Sequence, residues 1–248
     1  MDVETTCPRW FRMESDSQQK AALAKQAETT SAPIDPRKRA AVREVLPVGI
    51  TAMIYYNRGV DLLAEERFAE AAAANTKALR LDPTNATARG NLLATWNNWA
   101  IALGNSGRYA EAGELLREGL SLDPDYETLA PNYLHVHRRW AHALFERHQP
   151  AEAFAVFDLA RRQGYVCRDL WGAELVEVSD YGERLLDRGR FEEAVRLFDR
   201  ALDRQPDARA LQDGRHRAYQ QWISSLTAAG YRDEAQRVAQ RAPVSPRP

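Results

Sequence analysis

The apolar positions of this chain repeat with a helical period, and the helices repeat with a longer one. Trp96, Trp99 and Leu103 fall at i, i+3 and i+7, which is one face of a helix. The face returns 41 residues later as His137, Trp140 and Leu144, then as Val178, Tyr181 and Leu185, then as Tyr219, Trp222 and Leu226. Leucine holds its last position at Leu62, Leu103, Leu144, Leu185 and Leu226. A glycine follows at Gly107, Gly189 and Gly230, suited to a left-handed helix end; Glu66 and His148 replace it in the other two copies. A second helix then carries Glu-Ala at 70–71, 111–112, 152–153, 193–194 and 234–235, with Leu115, Leu116 and Leu120 or Val195, Phe198, Ala201 and Leu202 behind it. It closes on Leu81-Asp82-Pro83, Leu122-Asp123-Pro124 or Gln205-Pro206, where proline cannot continue a helix. A fixed period of this size marks one supersecondary unit, copied and stacked.

The run Gly107-Arg108-Tyr109-Ala110-Glu111-Ala112 with its Leu122-Asp123-Pro124 ending, and the Ala-Leu pairs Ala78-Leu79 and Ala201-Leu202 of other copies, resemble the tetratricopeptide repeat. The likeness covers about residues 52 to 242. The family's usual unit has about 34 residues. The seven more found here lie between the proline and the next Trp position, as from Pro83 to Trp96. Seven residues are nearly two helical turns and rotate the core face by only about 20°, so first helices lengthened at their N-terminal ends are expected. The Asn97-Asn98-Trp99-Ala100 segment is also similar to one in kinesin-light-chain-type arrays. The expected fold is an all-α, right-handed α-solenoid of five helix-turn-helix repeats at about 50–83, 84–124, 125–165, 166–206 and 207–242. An N-terminal leader, 1–48, precedes the array, and a tail, 243–248, follows.

The leader does not join the repeat. Trp10-Phe11 is an isolated aromatic pair. Ser15-Asp16-Ser17-Gln18 reads as a capping box ahead of a short helix through Lys20-Ala21-Ala22-Leu23-Ala24. A second short helix is predicted from Pro36 to Val45, and the Pro36-Arg37-Lys38-Arg39 cluster reads as solvated. The leader is either flexible or a segment that docks on the array and covers its first repeat. Within the array, Arg58 stands where later copies have Trp or Tyr, as a terminal unit without a neighbour allows. The last helix, with Ala235, Val238 and Ala239 among Gln236, Arg237, Gln240 and Arg241, reads as a polar cap.

Composition narrows the function. The 248 residues carry 34 basic and 35 acidic side chains, a net charge of -1, which gives no general pull toward nucleic acid or membrane. Cys7 and Cys167 have no paired spacing, so a reducing compartment, the cytoplasm, is expected. The acidic start has no apolar run after it and does not read as a signal peptide. No Gly-rich phosphate loop, HExxH or nucleophile elbow is present, so neither enzyme activity nor a cofactor is expected. His135 and His142 share a helix face with Arg139 between them, which argues against a metal; His137 is expected in the core.

The resemblance implies that the first helix of each repeat lines a concave groove. Its facing residues are Asn57 and Val60; Asn97, Asn98, Ile101 and Asn105; His135, Arg138, Arg139, His142 and Glu146; Ser179, Asp180, Glu183 and Asp187; and Gln220, Gln221 and Ser224. The groove thus passes from amides, through bases, to acids. Asn side chains can hold an extended backbone, and Arg can take a carboxylate. Asn98, His135 and Arg139 match three positions of the family's carboxylate clamp, but Tyr56 and Val60 stand where its first Lys and Asn would be. The expected function is a non-enzymatic interaction module that holds a protein or peptide partner through Asn57, Asn98, Asn105, His135, Arg138, Arg139 and His142. The alternatives are a self-associating scaffold, hence a homo-oligomer, or a regulatory part of a larger enzyme assembly.

Overall fold

The computed structural model describes residues 47–165 and 167–243. The two helices expected in the leader lie outside these residues. Ten helices and no strand are present among the described residues: α1 (Pro47–Ala64), α2 (Phe68–Leu81), α3 (Ala86–Asn105), α4 (Tyr109–Leu122), α5 (Leu129–Glu146), α6 (Pro150–Arg162), α7 (Cys167–Asp187), α8 (Phe191–Leu202), α9 (Arg209–Ala228) and α10 (Arg232–Arg241). The odd-numbered A helices have 18 to 21 residues and the even-numbered B helices 10 to 14. The A helix is therefore the longer member of each pair. None of these helices is long and apolar enough to cross a membrane.

Every A helix ends in the same way, because the chain must reverse within a few residues. Its leucine carbonyl accepts the amide five positions on: Arg67 from Leu62, Arg108 from Leu103 and Gln149 from Leu144, each at 2.9 Å, Arg190 from Leu185 at 2.8 Å, and Tyr231 from Leu226 at 2.9 Å. This closure puts the intervening residue at positive φ, between 57° and 86°. Glycine takes it at three turns. Glu66 and His148 take it at the other two with a Cβ against the backbone, which costs about 1–2 kcal/mol for an L-residue.

The two helices of a repeat meet at small residues. Ala71, Ala112, Ala153 and Ala194 have no exposed surface, and Ala235 has 6%. Opposite them the first four A helices carry Gly59, Ala100, Ala141 and Gly182, all buried, whereas α9 carries the half-buried Ile223. A Cβ at Gly59 would lie 2.6 Å from the Asn75 amide, and one at Gly182 would lie 2.3 Å from Cζ of Phe198. The closeness lets the B helix fill the space with one large side chain.

The contacts divide the chain within α3, between Thr95 and Trp96, into two compact units. In the first, Ala52, Ala78 and Ala88 join α1, α2 and the start of α3, with Tyr55, Tyr56, Leu79 and Leu81 packed around them. Leu62, Ala71 and Ala74 form its second cluster. In the second unit the A helices α5, α7 and α9 are direct neighbours. Phe198 of α8 is wedged between Gly182 of α7 and Gly214 of α9. At the end of the chain, α10 buries only Ala235 and Val238 and leaves its remaining surface polar.

Candidate functional site

The side-by-side A helices of the second unit bring polar positions from successive repeats together, and about half of the expected ones are tied across repeats. Asn132 of α5 donates to Asn97 of α3 at 2.7 Å. Arg139 donates to the Asn105 side chain at 2.8 Å. Arg138 Nε and His142 Nδ1 each donate at 2.8 Å to one oxygen of Glu177 on α7. Arg184 meets Glu146 at 3.0 Å, and Arg217 of α9 pairs with Glu183. The result is a ribbon of hydrogen-bonded side chains running across helix after helix.

Glu177 anchors it. Its side chain is 5% exposed, whereas those of Arg138 and His142 are half-exposed. The buried carboxylate is thus satisfied by two donors whose other edges face solvent. A bidentate acceptor of this kind restricts both rotamers at once, which lowers the ordering cost of any contact the two bases make. Asn97, expected on the open face, is instead buried between α3 and α5 with Asn132, because an amide that donates and accepts can be satisfied in that crevice.

The other expected site residues are distributed as follows. Asn98 is half-buried and receives a long 3.5 Å contact from Asn97. Asn105 and His135 are exposed. Burial, then the charges of Arg139 and Arg138, hold the His135 imidazole below its ordinary pKa, so it stays neutral where a clamp would want a cation. Asn57 is exposed on α1 in the first unit and is no part of this ribbon. Ile101 and Val176 add exposed apolar surface to α3 and α7.

At the α9 end the ribbon opens into a cleft of about 500 Å³. Its polar lining is Ser179, Asp180, Glu183, Asp213 and Arg217. Three carboxylates against one guanidinium make it acidic. The sequence signal for these residues was the acidic fourth repeat; Asp213 carried none, because its place depends on how α9 packs on α7.

A second polar cluster lies at the junction of α6, α7 and the turn after α8. Glu174 is fully buried, with Arg161 Nη1 at 2.6 Å and Arg204 Nε at 2.6 Å. Asp158 takes Arg204 at 2.5 Å and Arg161 at 2.9 Å, and the Trp171 ring lies 3.7 Å from the Arg161 guanidinium. Burial pushes the Glu174 carboxyl up, to about 7, against the pull of Arg161. This cluster joins the third and fourth repeats where the usual Asp-Pro ending is missing. His137 is likewise structural. It is 2% exposed, donates Nδ1–H to the Tyr133 carbonyl at 2.8 Å, and burial holds its pKa low. Among the described residues, no group of three or more His, Cys, Asp or Glu is placed to hold a metal ion.

Comparison with known proteins adds the following. Residues 93–126 match the family model described as a tetratricopeptide repeat. No curated protein matches the chain. Among solved structures, the chain is similar to the MamA protein, with 21% identity, 78% of this chain and 91% of that one covered, and a TM-score of 0.26. It is similar to YrrB, described as a TPR protein with an unusual peptide-binding site, at 19% identity, 77% and 84% coverage, and a TM-score of 0.23. It is also similar to BtubC (BKLC) from P. vanneervenii, at 16% identity, 95% and 96% coverage, and a TM-score of 0.28.

Proposed function

We propose that this tetratricopeptide-repeat protein is a non-enzymatic interaction module whose second unit takes a partner segment along its A-helix face. The observation that carries the reading is the Glu177 anchor. Arg138 and His142 are half-exposed yet each is fixed by a buried carboxylate, an arrangement that favours contact with a partner over simple solvation. Arg139, Asn98, Asn105 and His135 extend the same face, and the amides suit the backbone of an extended segment. The electrostatic sequence along the face sets the partner's chemistry. An acidic or carboxylate group lies over Arg138, Arg139 and His142. A basic side chain enters the cleft of Asp180, Glu183 and Asp213. Asn57 offers an amide on α1 as a separate contact of the first unit. The two isolated cysteines support placing the protein in the cytoplasm.

A binding screen against peptide arrays tests the reading, comparing wild type with the Asn98→Ala/Arg139→Ala variant and with Asp180→Arg. Both variants are expected to lose wild-type binders. Retention of wild-type affinity by both for every partner found rejects this face as the binding site.

A further inference from the structure

In the first two turns of α1, four large apolar side chains stay exposed: Val48, Ile50, Met53 and Ile54. Ile54 is 65% exposed, while the residues that hold its position in the later A helices, Thr95, Val136, Glu177 and Ala218, are at most 3% exposed. Pro47 is exposed as well, whereas its counterparts Ala88, Leu129, Leu170 and Leu211 have no exposed surface. These counterparts are covered by the B helix that comes before them in the chain. Ala88 clusters with Ala78 of α2. Leu129 presses on Gly119 of α4, and Gly214 of α9, which holds the position of Ile50, presses on Phe198 of α8. The stripe of α1 through Pro47, Ile50 and Ile54 is therefore built like the inside of a repeat stack, and no described helix covers it, whereas Met53 holds a position that is exposed at His135, Val176 and Arg217 too.

We propose that residues 15–27 of this chain, which lie outside the described residues, pack across that face as the B helix it lacks. Three observations favour this occupant over a second copy or another protein. The 46 residues before α1 end at Pro47, on the edge of the face. The link from Glu28 to Leu46, with the helix expected from Pro36 to Val45 in it, can span roughly 45 Å, more than the roughly 27 Å of α1, and a tether of this kind acts at about millimolar effective concentration. The composition also fits. Lys20-Ala21-Ala22-Leu23-Ala24-Lys25-Gln26-Ala27 is rich in small residues, as is α2, which buries Ala71, Ala72, Ala74 and Ala78. Ser15 and Gln18 supply a helix start at the right place.

Hydrogen–deuterium exchange on the full chain tests the proposal, with the mass in solution measured by sedimentation. The amides of residues 17–27 are expected to exchange at least about tenfold slower than a coil. Ile50→Asp/Ile54→Asp on the face, and Leu23→Asp in the leader, each abolish that protection and leave the protein monomeric. Leu23→Asp lies outside the array and keeps the test valid if the α1 variant unfolds its repeat. Coil-like exchange of 17–27 in the wild type overturns the proposal. So does protection that survives both variants. A wild-type dimer that Ile50→Asp/Ile54→Asp turns into a monomer, with 17–27 at coil rate throughout, assigns the face to a second copy instead.

Discussion

Phe198 gives the sharpest test of how the repeats are packed. Its ring has no exposed surface and is held by glycines on two helices. A Cβ added at Gly182 would sit 2.3 Å from Cζ and 2.9 Å from both Cε atoms; one added at Gly214 would sit 2.6 Å from Cζ and from Cε1. Ordinary carbon contacts lie at about 3.5–4.0 Å, so Gly182→Ala needs more than 1 Å of movement. The ring cannot recoil, because Gly214 closes the far side. Two effects oppose each other. Alanine favours the helix over glycine by about 1 kcal/mol, while overpacking costs about 1–3 kcal/mol. With a fixed aromatic ring as the obstacle, the upper end applies and the net loss is about 1–2 kcal/mol. Gly172→Ala on the same helix is the control. Nothing lies within 4 Å of its added Cβ, so it gains up to about 1 kcal/mol. Urea unfolding followed by circular dichroism should show Gly182→Ala with a lower midpoint than wild type and Gly172→Ala with a higher one. Adding Phe198→Leu to Gly182→Ala should cost less than the two single changes summed. A Gly182→Ala protein as stable as the Gly172→Ala protein refutes the reasoning.

Three further outcomes are expected. Glu66→Gly removes the strain of a left-handed residue at φ 57° and should raise the thermal midpoint by about 2–4 °C per kcal/mol gained, as scanning calorimetry would record. His137 is buried with its pKa held low, so the unfolded chain binds the extra proton. Stability is full above the unfolded value of about 6.5 and falls as pH drops below it, by at most about 1.4 kcal/mol per pH unit for one proton. Glu174, with its carboxyl raised to about 7, slopes the other way in this window, so the readout is the difference in urea midpoints between wild type and His137→Leu from about pH 7 to 5, which should grow less favourable to wild type as pH falls. Glu177→Val places in α7 the residue type that Val136 supplies in α5. The half-exposed Arg138 and His142 can turn to water, so stability should move by less than about 1 kcal/mol, while partner binding weakens because both bases lose their anchor.

The hairpins were legible in the sequence because each depends on residues within one repeat. The leucine that closes every A helix, the left-handed residue four positions after it and the buried alanine of the B helix all recur at fixed spacing. Even the substitutes Glu66 and His148 fell where the missing glycines pointed. The ribbon on the open face was legible only as a list of polar residues. Which of them pair depends on contacts 34 to 39 residues apart in sequence, as in Arg139 with Asn105 and Arg138 with Glu177, and no local pattern encodes these. One signal was available. Glu177 occupies a position that other repeats fill with Ile, Thr, Val or Ala, and Glu174 one that the first three fill with Thr, Leu and Tyr and the last with Arg215; a carboxylate in a core position implies a cation brought to it. Asn97 was misplaced for the same reason: its helix position is open in one repeat and buried against the next.

The central claim is that a partner lies on the A-helix face of the second unit. Cross-linking mass spectrometry of the full chain with a partner recovered from the peptide screen tests it most directly. Cross-links or protection on α5, α7 and α9 at Arg139, Asp180 and Asp213 are the predicted result. Contacts confined to the B helices, with Asn98, Arg139 and Asp180 unprotected, would contradict the account.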